Sequence, residues 1–312
     1  MRVLVVGSGS IGRRHVRNTL ALGHEAAVAR RPGTETETVG RELGVPAFAG
    51  LDAAAGWQPE AVVVATPPTA HLGAARWAVE HRLPVLVEKP LATGLEGVDA
   101  LLELAAREHV HVAVGCNLRF HPALAAIDRA VADGRVGRLL AVRAEVGSYL
   151  PSWHPGDDYR TNAAARTELG GGALLTLVHE LDYVLWICGP AQLVSGVRTK
   201  VSGLDVDADD LAELVLRHDS GALSSIHMDL VDRAYNRRSR WIGDEATIEW
   251  SWGGAVAIRD GSGDVLWEDD GFDLDETYVA ELRAFLAAEP APGDGVGDAR
   301  RALELAAAVE RL

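Results

Sequence analysis

Glycines near the amino terminus are the first residues whose spacing suggests a specific chemistry. Residues 7–12 read GSGSIG, which matches the pattern G-x-G-x-x-G. The motif follows the apolar run 2–6 and precedes a helical pattern, the context in which it binds a dinucleotide. Gly7 permits a tight turn, Gly9 lets the backbone approach a pyrophosphate, and Gly12 lets helix and strand pack closely. We therefore predict a site for NAD or NADP, with a glycine turn that binds no ligand as the simpler alternative.

The end of the second predicted strand bears on which dinucleotide fits. An acidic residue about 20 positions after the glycines would bind the ribose 2′-hydroxyl of NAD. This chain has Arg30 and Arg31 there. Because a guanidinium forks onto phosphate oxygens, the missing carboxylate and the two arginines favour NADP over NAD. A basic loop in contact with solvent is the alternative interpretation.

Lys89 is a second candidate for chemistry. It lies in the segment Glu88-Lys89-Pro90, directly after an apolar strand. Ligands of open α/β sheets bind at the carboxyl ends of the strands. A lysine there could hydrogen-bond a substrate hydroxyl or polarise a carbonyl, although most lysines only face solvent.

Four further motifs follow the glycine loop. They are ATPP at 65–68 with His71, EKP at 88–90, GCNLRF at 115–120, and GGG at 170–172 with His179 and Asp182. The ordered set resembles the Gfo/Idh/MocA oxidoreductases, the family of glucose–fructose oxidoreductase and inositol dehydrogenase, over nearly the whole chain. The resemblance implies hydride transfer between NAD(P) and a hydroxyl or ketone of a sugar, sugar nucleotide or cyclitol. It also implies a homodimer or homotetramer.

The resemblance assigns roles to single residues. Lys89 is expected to contact both substrate and nicotinamide, and His179 to be the catalytic histidine, which exchanges the hydroxyl proton as the hydride moves. A core histidine is the plainer alternative for His179. The predicted cofactor-binding set is Gly7, Gly9, Ser10, Ile11, Gly12, Arg30, Arg31, Thr66, Pro67, His71, Glu88, Lys89 and Asn117.

The sequence departs from the family pattern before His179. Family members usually carry an acid four residues earlier, where this chain has Leu175, followed by Thr176. A threonine hydroxyl can orient an imidazole but cannot stabilise an imidazolium as a carboxylate would. Thr176 and Asp182, on the same helical face as His179, are the candidates for this support. Either Lys89 and His179 suffice, or another acid substitutes.

Substrate contacts are expected mainly from the aromatic segment SYLPSWHPGDDYR at 148–160. Aromatic faces stack on sugar rings, and an arginine can bind a phosphate or a carboxylate. A packed surface loop is the alternative. The predicted substrate-binding residues are Arg119, Trp153, His154, Tyr159, Arg160 and His179.

The elements that must position these side chains can be read from the sequence pattern. Strand patterns lie at 2–6, 24–29, 61–65, 84–87 and 111–115. Their alternation with helices predicts a Rossmann-type, doubly wound parallel sheet in an NAD(P)-binding domain over 1–118. A helix over 172–187 and short strands from 193 to 267 predict an α/β domain over 119–312 with a mainly antiparallel sheet. The resemblance implies that this sheet is open and that the domain binds substrate and forms oligomer contacts. The last helices are candidates to pack back on the first domain.

Composition argues against several classes of protein. The 312 residues carry a formal charge of −15, which opposes nucleic-acid binding. Two cysteines form no disulfide framework and fit a reducing cytoplasm. No stretch reaches the roughly 20 apolar residues that span a bilayer. We expect a cytoplasmic protein with a small polyol or sugar substrate and no metal, nucleic acid or membrane.

Two other functions stay open at this point. One is an enzyme of the glycosidase or epimerase type on the same scaffold, which keeps its cofactor through the cycle. The other is a non-catalytic dinucleotide-binding protein, which the leucine at position 175 favours. Stoichiometric consumption of the cofactor distinguishes a dehydrogenase from both.

Overall fold

The structure is a computed structural model that describes residues 1–31, 35–259 and 263–312. The chain divides into two compact units. Unit 1 comprises Met1–Asn117 and Asp275–Ala291, and unit 2 comprises Leu118–Leu274 and Pro292–Leu312. The proposed domain division between residues 118 and 119 stays a prediction; unit 1 includes a second, later segment of the chain.

Unit 1 contains a six-stranded parallel sheet. Its strands are β1 (Arg2–Val6), β2 (Glu25–Arg30), β3 (Ala47–Ala49), β4 (Ala61–Val64), β5 (Val85–Glu88) and β6 (Val112–Gly115). They lie in the order β3-β2-β1-β4-β5-β6, with every neighbouring pair parallel. This confirms the predicted doubly wound sheet, whose order reverses between β1 and β4, the point where ligands of such sheets bind.

Five helices follow strands of this sheet in the first segment of unit 1. They are α1 (Ser10–Ala21), α2 (Thr36–Leu43), α3 (Leu51–Ala55), α4 (His71–Glu80) and α5 (Val98–Glu108). The sheet has buried strands with unbroken apolar sequences, as expected when helices cover both faces.

Unit 2 is built on a nine-stranded mixed sheet. Its strands are β7 (Leu139–Gly147), β8 (Ala191–Thr199), β9 (Leu211–His218), β10 (Leu223–Asp229), β11 (Asn236–Gly243), β12 (Thr247–Ser251), β13 (Val256–Arg259), β14 (Val265–Trp267) and β15 (Glu310–Arg311). The order is β14-β13-β12-β11-β7-β10-β9-β8-β15. Pairing is antiparallel except where β10 meets β7 and β15 meets β8, which confirms the predicted open, mainly antiparallel sheet.

Three helices of unit 2 precede β8, namely α6 (Pro122–Ala132), α7 (Ala173–Thr176) and α8 (His179–Cys188). The prediction of one helix over 172–187 is wrong. The chain bends by 50° between α7 and α8. The side chains of Leu177 and Val178 at the break are buried, so packing in the core overrides their helical propensity.

Two helices close the chain, α9 (Asp275–Leu286) and α10 (Gly295–Ala308). α9 belongs to unit 1 and α10 to unit 2. In unit 1, Leu282 and Phe285 of α9 lie in one apolar core with Val5 of β1 and Val16 of α1. The segment Asp275–Ala291 is therefore an integral part of the parallel-sheet unit.

One histidine of unit 2 lies in an aromatic environment. The Nδ1 atom of His121 accepts a hydrogen bond from the amide of Ala123 at 3.1 Å and caps α6. Four rings surround the imidazole at centroid distances of 5.0–5.5 Å: Trp250, Trp252, Trp267 and Phe272. Burial lowers the pKa of His121 to about 4, so its ring is neutral at pH 7.

Within the described ranges, no single helix is long and apolar enough to cross a membrane; one bent pair, Thr167–Thr176 with His179–Cys188, meets the test of length and composition. The same ranges contain no group of three His, Cys, Asp or Glu side chains placed to hold a metal ion.

Candidate active site

Three loops of unit 1 come together at one edge of its sheet. They follow β1, β4 and β5, which are neighbours and parallel, so their carboxyl ends lie side by side. The loops carry the glycine motif, the pair Thr66-Pro67, and the pair Lys89-Pro90. The structure thus brings together most of the predicted cofactor-binding residues.

The glycine motif has the geometry of a dinucleotide loop. Gly7 has a φ of +108°, and a Cβ there would collide with the carbonyl oxygen of Ala65 at the end of β4. α1 begins at Ser10, with Gly9 as its N-cap residue. The first amides of a helix have no carbonyl partner within the helix and carry the positive end of its dipole. The loop therefore fits a pyrophosphate group.

The strand end that would contact the adenosine ribose carries arginine rather than an acid. β2 ends at Arg30, whose Nη1 donates to the carbonyl oxygen of Glu35 at 3.1 Å. Arg31 follows it and is exposed. The end of β2 thus carries two arginines and no acidic residue.

His71 connects the second of these loops to the third. Its Nδ1 lies 2.8 Å from the carbonyl oxygen of Pro90 and its Nε2 lies 2.9 Å from that of Thr66. Burial lowers the pKa of His71, against the opposing influence of these hydrogen bonds and of the charge on Glu88. Because the ring is almost completely buried, the structure gives it a bracing role, and its contact with a cofactor stays a prediction.

Glu88, at the end of β5, has a partner that the sequence analysis did not identify. Its Oε1 lies 2.8 Å from Nε2 of His15 on α1, and its Oε2 accepts a hydrogen bond from the amide of Lys89 at 3.2 Å. The only sequence signal for His15 is its place three residues after the last glycine of the motif, where a polar side chain faces the sheet.

α9 contributes further polar groups near the carboxyl edge of the sheet. Asn117 donates through Nδ2 to Oγ1 of Thr277 at 2.7 Å, and both side chains are buried. Tyr278 packs edge-on against His15, with ring centroids 6.3 Å apart. Burial, and then the charge of Glu88, raises the pKa of Tyr278. The predicted cofactor residue Asn117 is thus held by a helix that lies 160 residues later in the chain.

In unit 2, His179 is the first residue of α8 and is buried. Thr176 is the last residue of α7, so the break separates it from His179. Glu180, the next residue, forms a buried ion pair with Arg237, whose Nε lies 2.7 Å from Oε1. Since the two helices are not continuous, the predicted support of His179 by Thr176 does not follow from a shared helical face and stays a prediction.

Arg119 and Asp182, both predicted site residues, bind each other. The Nε and Nη2 atoms of Arg119 donate to the two carboxylate oxygens of Asp182 at 2.9 and 2.7 Å. The same guanidinium reaches Asp298 on α10 at 3.0 Å and the carbonyl oxygen of Pro292 at 2.6 Å. Arg119 is 1% exposed. Its contact with substrate, and the support of His179 by Asp182, stay predictions that these bonds do not favour.

The aromatic segment 148–160 contains short turns with internal partners. The indole of Trp153 donates to Oγ of Ser148 at 2.7 Å, and the hydroxyl of Tyr159 accepts from the amide of Asp205. Arg160 forms a two-point ion pair with Asp158, which lowers the pKa of that carboxyl. His154 and Arg160 are exposed. An anionic substrate would have to compete with Asp158 for Arg160.

Comparison with known proteins establishes the family. The model described as "Oxidoreductase family, NAD-binding Rossmann fold" matches residues 1–116, and the model of the "GFO/IDH/MocA C-terminal domain" matches residues 124–249. The chain belongs to the Gfo/Idh/MocA oxidoreductases. The predicted family and the predicted function as a nicotinamide-dependent dehydrogenase of CH–OH groups are thereby confirmed.

Several relatives resemble the chain over nearly their whole length. Myo-inositol dehydrogenase Hyg17 of Streptomyces leeuwenhoekii is 30% identical over 100% of this chain and 97% of its own. UDP-N-acetylglucosamine 3-dehydrogenase of Acidithiobacillus ferrooxidans is 27% identical over 99% of this chain and 97% of its own. The solved structure of levoglucosan dehydrogenase in complex with NADH has a TM-score of 0.85 at 19% identity, covers 99% of this chain and 95% of its own, and shows the same fold.

Proposed function

We propose that this chain oxidises a hydroxyl of a cyclic polyol (a cyclitol, a sugar or a sugar nucleotide) or reduces the corresponding ketone. The observation that carries the proposal is the juxtaposition of the glycine loop and Lys89 at the carboxyl edge of one parallel sheet. The relatives named above support the substrate class, because their names specify inositol, UDP-N-acetylglucosamine and levoglucosan. In this proposal unit 1 binds the dinucleotide and unit 2 contributes the substrate residues.

The roles of the two catalytic candidates follow from their chemistry. The ammonium of Lys89 donates a hydrogen bond to the reacting oxygen and stabilises the negative charge that develops there. The imidazole of His179 accepts the hydroxyl proton during oxidation and returns it during reduction. When the dinucleotide is bound, its nicotinamide ring accepts or delivers the hydride. One proton and one hydride leave the CH–OH group together, so the reaction balances without a metal.

Of the two nicotinamide dinucleotides, NADP is the cofactor that we propose for this chain. Arg30 and Arg31 support it, because they replace the acid that would bind a 2′-hydroxyl at the end of β2. The protein is expected to form a homodimer or homotetramer in the cytoplasm, and light scattering of the purified protein measures its mass.

A screen of cyclic polyols and their ketones with both dinucleotides tests the reaction class. We expect stoichiometric formation of reduced cofactor and a lower KM for NADP than for NAD. A lower KM for NAD would contradict the cofactor assignment alone. Turnover without net cofactor consumption would instead identify a cofactor-retaining enzyme, and tight dinucleotide binding without turnover a non-catalytic protein.

Replacement of Lys89 tests the mechanism. The chain contains two lysines, Lys89 and the exposed Lys200, so Lys200→Met is a matched control. We expect Lys89→Met to lower kcat by roughly 10²–10³-fold, because it removes a donor to the developing charge. Circular dichroism and dinucleotide binding should be unchanged. Full turnover by Lys89→Met would remove this residue from the mechanism.

A further inference from the structure

The carboxylate of Glu88 is held from two sides. The amide of Lys89 donates to Oε2 at 3.2 Å, and the imidazole of His15 binds Oε1 at 2.8 Å. The His15 side chain is 0% exposed and that of Glu88 is 9% exposed. Water has little access to a buried hydrogen bond of this kind and cannot readily take the place of either partner. The carboxylate therefore joins the backbone of Lys89 to helix α1.

The second ring nitrogen shows which way this bond runs. Nδ1 of His15 is buried and has no hydrogen-bond partner among the described residues. A proton on that atom would be a buried, unsatisfied donor, which is costly. The geometry therefore favours the proton on Nε2, which donates to Oε1 of Glu88. His15 therefore acts as a hydrogen-bond donor that holds the carboxylate of Glu88.

The surroundings leave the carboxylate little room to move. Gly115 on β6 lies opposite Glu88 in the parallel ladder, and a Cβ there would lie 3.1–3.2 Å from the Cα, Cδ and Oε2 atoms of Glu88. The ring of Tyr278 covers His15 edge-on, and the guanidinium of Arg14 lies 4.5 Å from the centre of that ring. The position of the carboxylate is thus determined by three elements of unit 1.

We propose that His15 is a positioning residue for Lys89, acting through the carboxylate of Glu88. This inference rests on the catalytic role proposed for Lys89. α1 carries the end of the glycine motif, so the same helix that binds the pyrophosphate fixes the backbone from which the lysine extends. Removing the donor frees the carboxylate and loosens the Lys89 backbone, whereas the glycine motif itself is untouched.

Two replacements of His15 separate positioning from packing. Gln places an amide donor near the position of Nε2, and Leu places none there. We expect His15→Leu to lower kcat by about 10–100-fold, since a misplacement of about 1 Å can cost about 10²-fold. The dissociation constant of the dinucleotide should change by less than about threefold. His15→Gln should recover most of kcat, and the control is His111→Leu, which replaces an exposed histidine elsewhere in unit 1.

The small number of lysines gives a readout independent of turnover. Acylation of Lys89 is measured by mass spectrometry against Lys200 in the same molecule. We expect Lys89 to react faster, relative to Lys200, in His15→Leu than in the wild type, and at the wild-type rate in His15→Gln. Gly115→Ala, which crowds Glu88 without touching His15, should also change the rate for Lys89. The atoms around a Cβ at position 115 need to move by only a few tenths of an ångström. Gly115→Ala therefore serves as a second variant if His15→Leu does not fold.

The outcomes distinguish this inference from the proposed function. If Lys89→Met lowers kcat as expected but His15→Leu changes neither kcat nor the acylation of Lys89, the positioning role is wrong and the proposed function stands. If Lys89→Met retains full turnover, the proposed role of Lys89 fails, and the acylation rates alone decide whether His15 holds its backbone. Equal losses of kcat in the Leu and Gln variants, with unchanged acylation, would show a packing role only.

Discussion

At the scale of single residues, several buried arginines form ion pairs with carboxylates and fix their positions. Arg119 holds Asp182 and Asp298, and Arg237 holds Glu180. Removing one partner of such a buried pair leaves an uncompensated charge, which costs several kcal/mol. A strong effect of mutating Arg119 on activity would therefore not by itself demonstrate a contact with substrate.

His121 gives the stability of unit 2 a predictable dependence on pH. Its pKa in the folded protein is about 4, whereas the unfolded chain has an ordinary value near 6.5. Between these pH values His121 is protonated in the unfolded state and neutral in the folded state. The free energy of unfolding therefore falls as the pH is lowered from about 6.5 towards 4. The contribution of this residue amounts to about 2 kcal/mol between pH 7 and pH 5.

Urea unfolding at pH 7 and pH 5 checks this expectation, with His121→Asn as the comparison. Asparagine keeps an acceptor for the amide of Ala123 and does not titrate, so the helix cap is retained. The variant should lose less stability than the wild type on acidification. The same loss in both proteins would assign the pH dependence to other groups.

Single residues also mark the limit of prediction from sequence. The turn at Gly7 and its fit to a dinucleotide follow from a local pattern, because strand, turn and helix are contiguous there. His15 and Glu88 are 73 residues apart in the sequence, and no pattern near either residue predicts that they pair. The partner of Asn117 lies further away still, on α9.

At the scale of elements, strands were predictable where their burial makes the sequence distinctive. The apolar runs of β1, β4 and β5 are typical of a parallel sheet covered on both faces. The short edge strand β3 has only three residues and no such signal. The break between α7 and α8 could not be predicted, because neither glycine nor proline marks it and only the core explains it.

The role of α9 in unit 1 gives an expectation at this scale. Leu282 is fully buried against the core of β1 and α1, whereas Leu286 on the same helix is only partly buried. Leu282→Ala should destabilise unit 1 by about 2–5 kcal/mol, through lost burial and the cavity left behind. Thermal unfolding of Leu282→Ala and Leu286→Ala measures the difference. Equally small effects of the two substitutions would mean that α9 contributes little to this core.

At the scale of the whole molecule, the sequence supports two kinds of sheet because two hydrophobic periods occur in it. Continuous apolar runs dominate before residue 115, and alternating patterns such as that of β9 dominate after residue 139. The linear pattern made the last helices candidates to pack back on the first domain, but it did not show that α9 belongs to unit 1 while α10 belongs to unit 2. Only packing of α9 against α1 shows that the chain returns to unit 1.

That return has a consequence for biosynthesis. Translation delivers the chain from its amino terminus, yet the first unit lacks Leu282 and Phe285 until the segment Leu118–Leu274 has been made. While the intervening 157 residues from Leu118 to Leu274 are made, α9 does not yet cover the apolar face of α1. A ribosome stalled before α9 would therefore present the parallel sheet without the part of its core that Leu282 and Phe285 supply.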